Sequence, residues 1–351
     1  MTVLIGTRKG LLFLEGKEIV RHTFDGIPVQ CVHVDPLQRI WVGLDHGHWG
    51  PKMAVSEDGG KSFRDIDPPT YPSDAIVKEG KPATLQLIWA MASDEKRVFV
   101  GTEPGGLFRS DDSGESWQLV EGLWNHPSRP DHWFGGGRDN AAIHSIWLDP
   151  ERPERYLIAI SCAGVFETTD DGKTWTPRNR GLAADFLPSA EVDVGHDPHL
   201  LVVHPSNPER MWQQNHCGVF RSDDGGKKWI DVSTDDGTAY FGFAIAVAED
   251  DPDTAWIVPA ISDEVRMAVE QTLLVARTTD GGASWTRLTN GLPSSTSFDL
   301  VFRHALALKG DHLAFGTTTG NFFYSTDRGD SWETISNYLP PINVVEFAEL
   351  T

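Results

Sequence analysis

Short apolar runs alternate with clusters of turn-forming residues along the whole chain. Six such runs, each at the head of a similar stretch of sequence, begin at Gln30, Leu85, Ile143, His199, Phe243 and Arg303. Most are followed by a second apolar run, a short loop that contains glycine, and a third run. A helical period of about 3.6 residues is not sustained anywhere, whereas strand-length runs bounded by turn residues dominate. The pattern therefore predicts an all-β protein.

One eight-residue motif, Ser/Thr-x-Asp-x-Gly-x-x-aromatic, occurs six times. Its aromatic positions, from Phe63 to Trp332, lie 54, 58, 54, 56 and 47 residues apart. An aspartate at this position can accept hydrogen bonds from backbone amides two residues on, and the glycine can adopt a positive φ. The motif therefore predicts a hairpin turn held by its own side chains, after which an aromatic ring is buried at the start of the next strand. We call this motif the stapled turn and assign its aspartates a structural role.

Each repeat contains four predicted strands, with the stapled turn between the third and the fourth. Four-stranded units repeated in this way are typical of a β-propeller. The N-terminal segment predicts three strands without a stapled turn, and the segment that begins at Ile342 predicts one more. The C-terminal strand is therefore expected to pair with the N-terminal blade and close a ring of seven blades without free edges. Residues 1–351 are predicted to form a single domain of six stapled-turn blades and one composite blade.

The stapled turn resembles the Asp-box, or BNR repeat, of the sialidase-like superfamily. The resemblance runs through six copies and covers nearly the whole chain. It implies a propeller similar to bacterial proteins described as BNR-repeat glycosyl hydrolases, but the repeat also occurs in receptors and in photosystem assembly factors. The repeat is therefore specific for a fold and weak evidence for a function.

Sialidase activity itself is not expected. Sialidases of this superfamily hold the substrate carboxylate with three arginines, the first in a Phe/Tyr-Arg-Ile-Pro motif near the N-terminus. The nearest match here is Phe302-Arg303-His304-Ala305, which lies late in the chain and lacks Ile-Pro. Sialidases also have six blades, against the seven predicted here.

The charge of the chain narrows the choice of partners. Lys and Arg total 30 against 51 Asp and Glu, so the formal net charge is −21. Such a charge argues against nucleic acid or an anionic membrane as a partner. Three cysteines are too few for a disulfide framework, and no run is long enough to span a bilayer. The N-terminus also lacks the charge order of a signal peptide, so we expect a cytoplasmic protein.

The long loop 121–140 concentrates charged and aromatic residues beside three consecutive glycines. It carries His132, Trp133 and Arg138 and leads directly into an apolar strand. Long loops in compact domains usually have a function, although a solvated lid is the alternative. We expect Arg138, together with Arg303 later in the chain, to hold an anionic group, and Trp133 to stack on a sugar ring.

The first strands of the blades are expected to place further polar residues side by side around the central channel. A second long loop, 179–198, carries Glu191 and Asp197 in its last part and leads into one of these strands. Aligned strands predict a ring of residues at the channel mouth: Gln30, Gln86, His144, His199, Phe243, Arg303 and Asn343. This ring predicts a floor for a ligand, and a water-filled polar channel is the alternative.

Two functions remain open. The first is a glycoside hydrolase or lyase that acts on a small polar or sugar substrate between blades three and five. Its catalytic candidates, which would transfer protons, are His144, His199, Asp197 and Glu103. Its substrate-binding candidates are Arg138, Arg303, His216, Gln30, Gln86, Trp133 and His132. The second function is a non-catalytic propeller that binds a small-molecule, glycan or protein ligand through the same face.

A divalent metal is a further alternative for three histidines. His144, His199 and His216 come from neighbouring predicted blades, and three imidazoles can bind a transition metal such as zinc. Their spacing is not a local ligand motif. The sequence therefore leaves the cofactor unknown.

Overall fold

A computed structural model of the protein describes residues 1–78, 80–189 and 192–350. These residues form seven four-stranded sheets whose neighbouring strands are antiparallel, so the fold is an all-β, seven-bladed β-propeller, as predicted. Glu191, one of the loop residues noted above, lies outside the described residues.

The blades follow one another in chain order, except that the first takes its fourth strand from the C-terminal segment. The first four blades comprise blade 1, β1 Thr2–Thr7, β2 Gly10–Glu15 and β3 Glu18–Thr23; blade 2, β4 Val29–Val34, β5 Ile40–His46, β6 Gly50–Ser56 and β7 Arg64–Ile66; blade 3, β8 Leu87–Ser93, β9 Val98–Glu103, β10 Leu107–Ser110 and β11 Gln118–Leu119; and blade 4, β12 Ala142–Leu148, β13 Tyr156–Ser161, β14 Gly164–Thr168 and β15 Thr176–Pro177. The others comprise blade 5, β16 Pro198–His204, β17 Asn207–Asn215, β18 Gly218–Ser222 and β19 Ile230–Asp231; blade 6, β20 Gly242–Val247, β21 Ala255–Pro259, β22 Val275–Thr278 and β23 Thr286–Leu288; blade 7, β24 Leu306–Lys309, β25 His312–Gly316, β26 Phe322–Ser325 and β27 Glu333–Ser336; and the strand that completes blade 1, β28 Ile342–Ala348.

The composite blade forms as predicted. Strand β28 pairs antiparallel with β1, from Thr2 opposite Ala348 to Thr7 opposite Ile342. Residues 342–345 of β28 are all buried, and Ile342 and Val345 belong to the apolar core of the four-blade unit. The two ends of the chain therefore share one blade.

The stapled turns form in all six predicted places, with one difference in detail. In the first turn, the Gly60 amide donates to Ser56 Oγ at 2.8 Å. The glycine of each of the six turns has a positive φ, between 79° and 90°. Asp58 accepts the amide of Ser62, four residues on, at 2.9 Å, and not the amide two residues on that the sequence predicted. The Ser56 hydroxyl already accepts the hydrogen bond of the Gly60 amide, so Asp58 accepts one from an amide farther along the chain, and the turn is longer than predicted.

Helices are few and short among the described residues. They are α1 Glu121–Trp124, α2 Arg129–His132 and a 3₁₀ turn at Val269–Gln271. The first two fold the loop 121–140, where single turns are too short to give a helical period in the sequence. None of the described helices has the length and apolar character needed to cross a membrane.

The described residues fall into two compact units. The four-blade unit holds blades 1, 5, 6 and 7, from residues 1–26, 180–189 and 198–348, and the three-blade unit holds blades 2, 3 and 4, from 27–78, 80–179 and 192–197. Each has its own apolar core, with Trp256 and Phe315 in the four-blade unit and Tyr156 and Phe166 in the three-blade unit. The single domain expected over 1–351 stays a prediction.

Candidate functional site

Glu103, the last residue of β9, lies at the centre of a polar cluster in the three-blade unit. Its side chain is 2% exposed, and its carboxylate accepts hydrogen bonds from Arg138 Nε and, at 3.3 Å, from the Asn140 amide. The Arg138 guanidinium lies over Trp89, 5.3 Å from the ring centroid. Glu103 therefore orients Arg138 and neutralises its charge, so that the pair offers little net attraction to an anion.

His144 and Asp197, two catalytic candidates, are also buried in this unit. His144, in β12, is 1% exposed, with Nδ1 2.9 Å from Ser145 Oγ. Asp197 accepts hydrogen bonds from Ser161 Oγ at 2.9 Å and from the Cys162 amide at 3.1 Å. These contacts fix the orientation of both side chains, and their catalytic role stays a prediction.

Three further candidates in this unit lie near blade edges or in loops. Gln30, in β4, donates from Nε2 to Asp45 Oδ2 at 3.5 Å. Gln86 precedes β8, and its backbone amide donates to the Glu103 backbone carbonyl at 2.8 Å. His132 ends α2 and is exposed. Their binding roles stay predictions.

Trp133 does not present the open ring face that was expected for stacking on a sugar. It is 3% exposed, its Nε1 donates to Ser128 Oγ at 3.0 Å, and its ring packs 5.3 Å from that of Phe166. The reason is the α2 turn, which folds the loop back onto blade 4. A cleft of about 40 Å³ remains beside it, next to Arg129 and Asp139. That volume suits one or two water molecules, since ligand pockets usually have about 300 Å³ or more.

In the four-blade unit, His199 is held in an aromatic wall. It is 2% exposed, and because its Nδ1 lies 2.6 Å from the Gly242 carbonyl oxygen, Nδ1 carries the proton and donates it. Its ring stacks on Phe243 with centroids 4.5 Å apart and meets Phe241 edge-on at 5.4 Å. The backbone and two rings thus fix the tautomer and the plane of this imidazole.

His216, which follows β17, lies beside His199. The ring centroids are 5.8 Å apart, and a ring nitrogen of one lies within 4.8 Å of a ring nitrogen of the other. His216 Nε2 also lies 3.6 Å from Asp263 Oδ2. Two imidazoles on one tetrahedral metal would have nitrogens about 3.3 Å apart, so the pair needs only a small approach to share an ion. His144 belongs to the three-blade unit, and the three-histidine metal site stays a prediction.

Arg303, the remaining candidate, precedes β24 and is half-buried. Its guanidinium carbon lies 5.2 Å from the centroid of Phe243, the same ring on which His199 stacks. The structure therefore brings together three of the predicted site residues in this unit, His199, His216 and Arg303, around a shared aromatic wall.

The four-blade unit also contains a larger cleft, of about 490 Å³, that the sequence did not indicate. Two of its lining residues are apolar or aromatic and well exposed, Tyr240 at 40% and Ile261 at 41%. Asp235, which is exposed, lines it as well. The other lining residues are Thr234, Gly237, Ala260 and Val269.

One signal in the sequence could have located this cleft. In the segment 234–238, Asp236 accepts hydrogen bonds from Thr234 Oγ1 at 2.8 Å and from the Thr238 amide at 2.9 Å. This is a shortened version of the stapled turn, placed in the connection between blades 5 and 6.

Comparison with curated proteins finds sequence relatives that are named as xyloglucanases. No protein-family model matches the chain. The xyloglucanase of a Paenibacillus species is 25% identical over 267 residues, which cover 69% of this chain and 24% of that protein. The oligoxyloglucan-reducing end-specific xyloglucanase of Emericella nidulans is 26% identical over 246 residues, which cover 62% of this chain and 28% of that protein. The chain thus spans about a quarter of the length of these curated relatives.

Solved structures with the same fold include proteins of different function. The GH74 xyloglucanase from Xanthomonas campestris matches with a TM-score of 0.64 and 16% identity, over 95% of this chain and 52% of that one. YCF48 bound to a D1 peptide matches with a TM-score of 0.54 and 14% identity, over 88% of this chain and 83% of that one. At such identities the likeness shows the fold alone.

Proposed function

We propose that the protein acts on a sugar substrate, as a glycoside hydrolase or lyase, in the large cleft of the four-blade unit. The observation that carries the proposal is the exposed Tyr240 ring beside the Asp235 carboxylate in a cleft of about 490 Å³. This volume falls within the range of about 300 to 1,000 Å³ typical of small-molecule sites. An exposed aromatic ring can pack against the apolar face of a sugar. The relatives named as xyloglucanases support a sugar as the class of substrate.

Glycoside hydrolysis usually needs two carboxyl groups, one to donate a proton and one to act as base or nucleophile. Asp235 lines the cleft, and Asp263 lies two residues beyond Ile261, which also lines it. Asp263 is 47% exposed, and its Oδ2 lies 3.6 Å from His216 Nε2, so its carboxylate is open to a ligand. We therefore place this chemistry on Asp235 and Asp263. Glu103 and Asp197 are buried and hydrogen-bonded, which suits an orienting role better.

Turnover of xyloglucan oligosaccharides and a panel of aryl glycosides tests the proposal. Asp235→Asn should lower kcat by about 100-fold or more, because it removes a proton-transfer group. Tyr240→Ala should instead raise KM by roughly tenfold, because it removes a stacking surface. Asp25→Asn, an exposed substitution at the pair with His22 in the same unit, is the matched control. Full activity of Asp235→Asn, or no turnover of any substrate, would reject the proposal.

A non-catalytic binding propeller is the second candidate. The observation that favours it is that Glu103, His144, Asp197 and His199 are each less than 9% exposed and hydrogen-bonded to protein. Sugar binding that depends on Tyr240, without turnover, would support this candidate over the enzyme.

A further inference from the structure

We infer that the large cleft of the four-blade unit binds a ligand that carries a protonated amine, held between the ring of Tyr240 and the carboxylate of Asp235. The inference rests on the proposed function only for the sugar, and it names an amino sugar as the class of substrate. Arg138 and Arg303, which the sequence assigned to an anionic group, are not among the residues that line this cleft.

Tyr240 offers the cleft an aromatic face. The residue is 40% exposed and lines the cavity of about 490 Å³. A cation within roughly 6 Å of the centroid of an aromatic ring is attracted to the face of that ring. Three other lining residues, Ala260, Ile261 and Val269, are apolar. An ammonium group can therefore lie over the Tyr240 ring while the carbon skeleton of the same ligand packs on these side chains.

Asp235 belongs to a short closed loop that ends next to Tyr240. The Thr234 amide donates to the Ala239 carbonyl at 2.7 Å, and the Ala239 amide donates to Thr234 Oγ1 at 2.9 Å. These two bonds join the ends of the loop. Asp235 is exposed and, like Tyr240, lines the cleft. One ligand can therefore reach both the carboxylate and the ring.

The negative charge in this region is not balanced by basic side chains. Residues 231–240 contain three aspartates and no lysine, arginine or histidine. Within the described residues, no basic side-chain nitrogen lies within 4.0 Å of a carboxylate oxygen of Asp185, Asp231 or Asp235. Elsewhere in the four-blade unit, aspartates pair with arginines: Asp223, Asp250, Asp253, Asp311 and Asp330. The carboxylates near the cleft thus keep a charge that a cationic ligand can neutralise.

The hydroxyl of Tyr240 responds to the same negative charges. Partial burial raises the pKa of Tyr240, and nearby negative groups, which include Asp185 and Asp231, raise it further. Charges that disfavour a phenolate at this position stabilise a cation there. An ammonium over the ring would therefore be attracted by Asp185 and Asp231 in addition to Asp235.

Arg287 lies beside the cleft, but a carboxylate shares its charge. Its Nε donates to Thr238 Oγ1 at 2.7 Å, and its Nη1 pairs with Glu270 Oε2 at 2.9 Å. Thr238 and Glu270 each follow a lining residue, Gly237 and Val269. Arg287 therefore ties two parts of the cleft wall together, which pre-organises the cavity, and it adds little repulsion toward a bound cation.

Arg266 is the basic residue of the loop between β21 and β22, which also carries Ile261. Its guanidinium carbon lies 5.7 Å from the centroid of Phe243, and its Nε donates to the Asp263 carbonyl at 3.0 Å. Neither Arg266 nor Phe243 is among the lining residues of the cleft. The charges at the cleft itself therefore favour a cation over an anion.

Calorimetric titration of the 351-residue chain with the disaccharide of chitosan and with cellobiose tests the inference. The two sugars have the same linkage and differ in carrying amines or hydroxyls at equivalent positions, and at about pH 6 such amines are protonated. The chitosan disaccharide should bind at least about tenfold more tightly than cellobiose, because the carboxylates attract its charge. The difference should shrink as the salt concentration rises.

Variants of the two central residues separate charge from shape. Asp235→Asn should weaken binding of the chitosan disaccharide by about tenfold and change cellobiose binding little, because it removes a charge and keeps the size of the side chain. Tyr240→Leu should lower the preference for the amino sugar by about fivefold, whereas Tyr240→Phe keeps the ring and should retain that preference. Glu15→Gln removes an exposed carboxylate of blade 1 in the same unit and should change neither affinity.

Each outcome decides the inference. Equal affinity for the two disaccharides, binding of neither, or a preference that survives in both Asp235→Asn and Tyr240→Leu overturns it. Trilysine that binds through the same two residues, when the chitosan disaccharide does not, overturns the amino sugar as the ligand and assigns the site to a basic peptide. Because both side chains are exposed, the variants should fold normally, which circular dichroism checks.

The same measurements distinguish this inference from the proposed enzyme. Binding of the chitosan disaccharide that needs Asp235 and Tyr240, without turnover of any sugar, would reject the enzyme and leave the cation site standing. Turnover of neutral oligosaccharides, with no preference for the amine in binding, would support the enzyme and reject the cation site.

Discussion

At the scale of single residues, His33 should make the fold sensitive to acid. Burial lowers the pKa of His33 to about 4, and the ring is hydrogen-bonded to Ser93 Oγ at 2.7 Å. In the unfolded chain, where the pKa of His33 is near 6.5, this histidine therefore binds a proton at pH values at which it stays neutral in the folded protein. Stability is intact above pH 6.5 and is lost as the pH falls toward 4, by about 1 to 2 kcal/mol at pH 5.

Urea denaturation of the protein and of His33→Gln at pH 7 and pH 5 measures this effect. Between pH 7 and pH 5, the free energy of unfolding should fall more in the wild type than in His33→Gln. His22→Gln replaces an exposed histidine and serves as the control. An equal loss in the wild type and in His33→Gln would show that another group causes the acid sensitivity.

At the scale of elements, the stapled turn should depend on its aspartate through the bonds to the amide and hydroxyl four residues on. Hydrogen bonds to the Ser116 hydroxyl and amide lower the pKa of Asp112 to about 2. Asp112→Ala removes both acceptors, whereas Asp112→Asn keeps one. Amide exchange at Ser116 should therefore quicken strongly in the first variant and weakly in the second. Asp111→Ala, at the neighbouring residue, should leave that amide protected, and equal exchange in all three variants would contradict the turn's assigned role.

The stapled turns and the loops differ in how much of their structure the sequence predicts. A stapled turn is local, since all its bonding groups lie within eight residues, so six copies identified the blades and their order. The exposure of a loop side chain is not local. Trp133 is buried because α2 folds its loop onto Phe166, and Tyr240 is exposed because the loop that holds Ile261 leaves a gap beside it. Strand register predicted that His199, Phe243 and Arg303 follow one another around the ring, and Arg303 does lie near the Phe243 ring on which His199 stacks. Arg266 also lies near Phe243, but it belongs to a loop, where no such register applies.

At the scale of the whole molecule, the shared blade is the point at which the two chain ends stabilise each other. Deletion of residues 342–351 removes β28, whose Ile342, Val344 and Val345 are at most 3% exposed, and leaves β1 as an unpaired edge. Losing the burial of three aliphatic side chains should lower the free energy of unfolding by on the order of 5 kcal/mol. The new edge should also promote association between molecules. Thermal unfolding followed by circular dichroism, with size-exclusion chromatography, measures both effects. A chain cut after Ala348 keeps β28 and should melt and elute like the 351-residue chain. If the longer deletion did so too, blade 1 would not need its C-terminal strand.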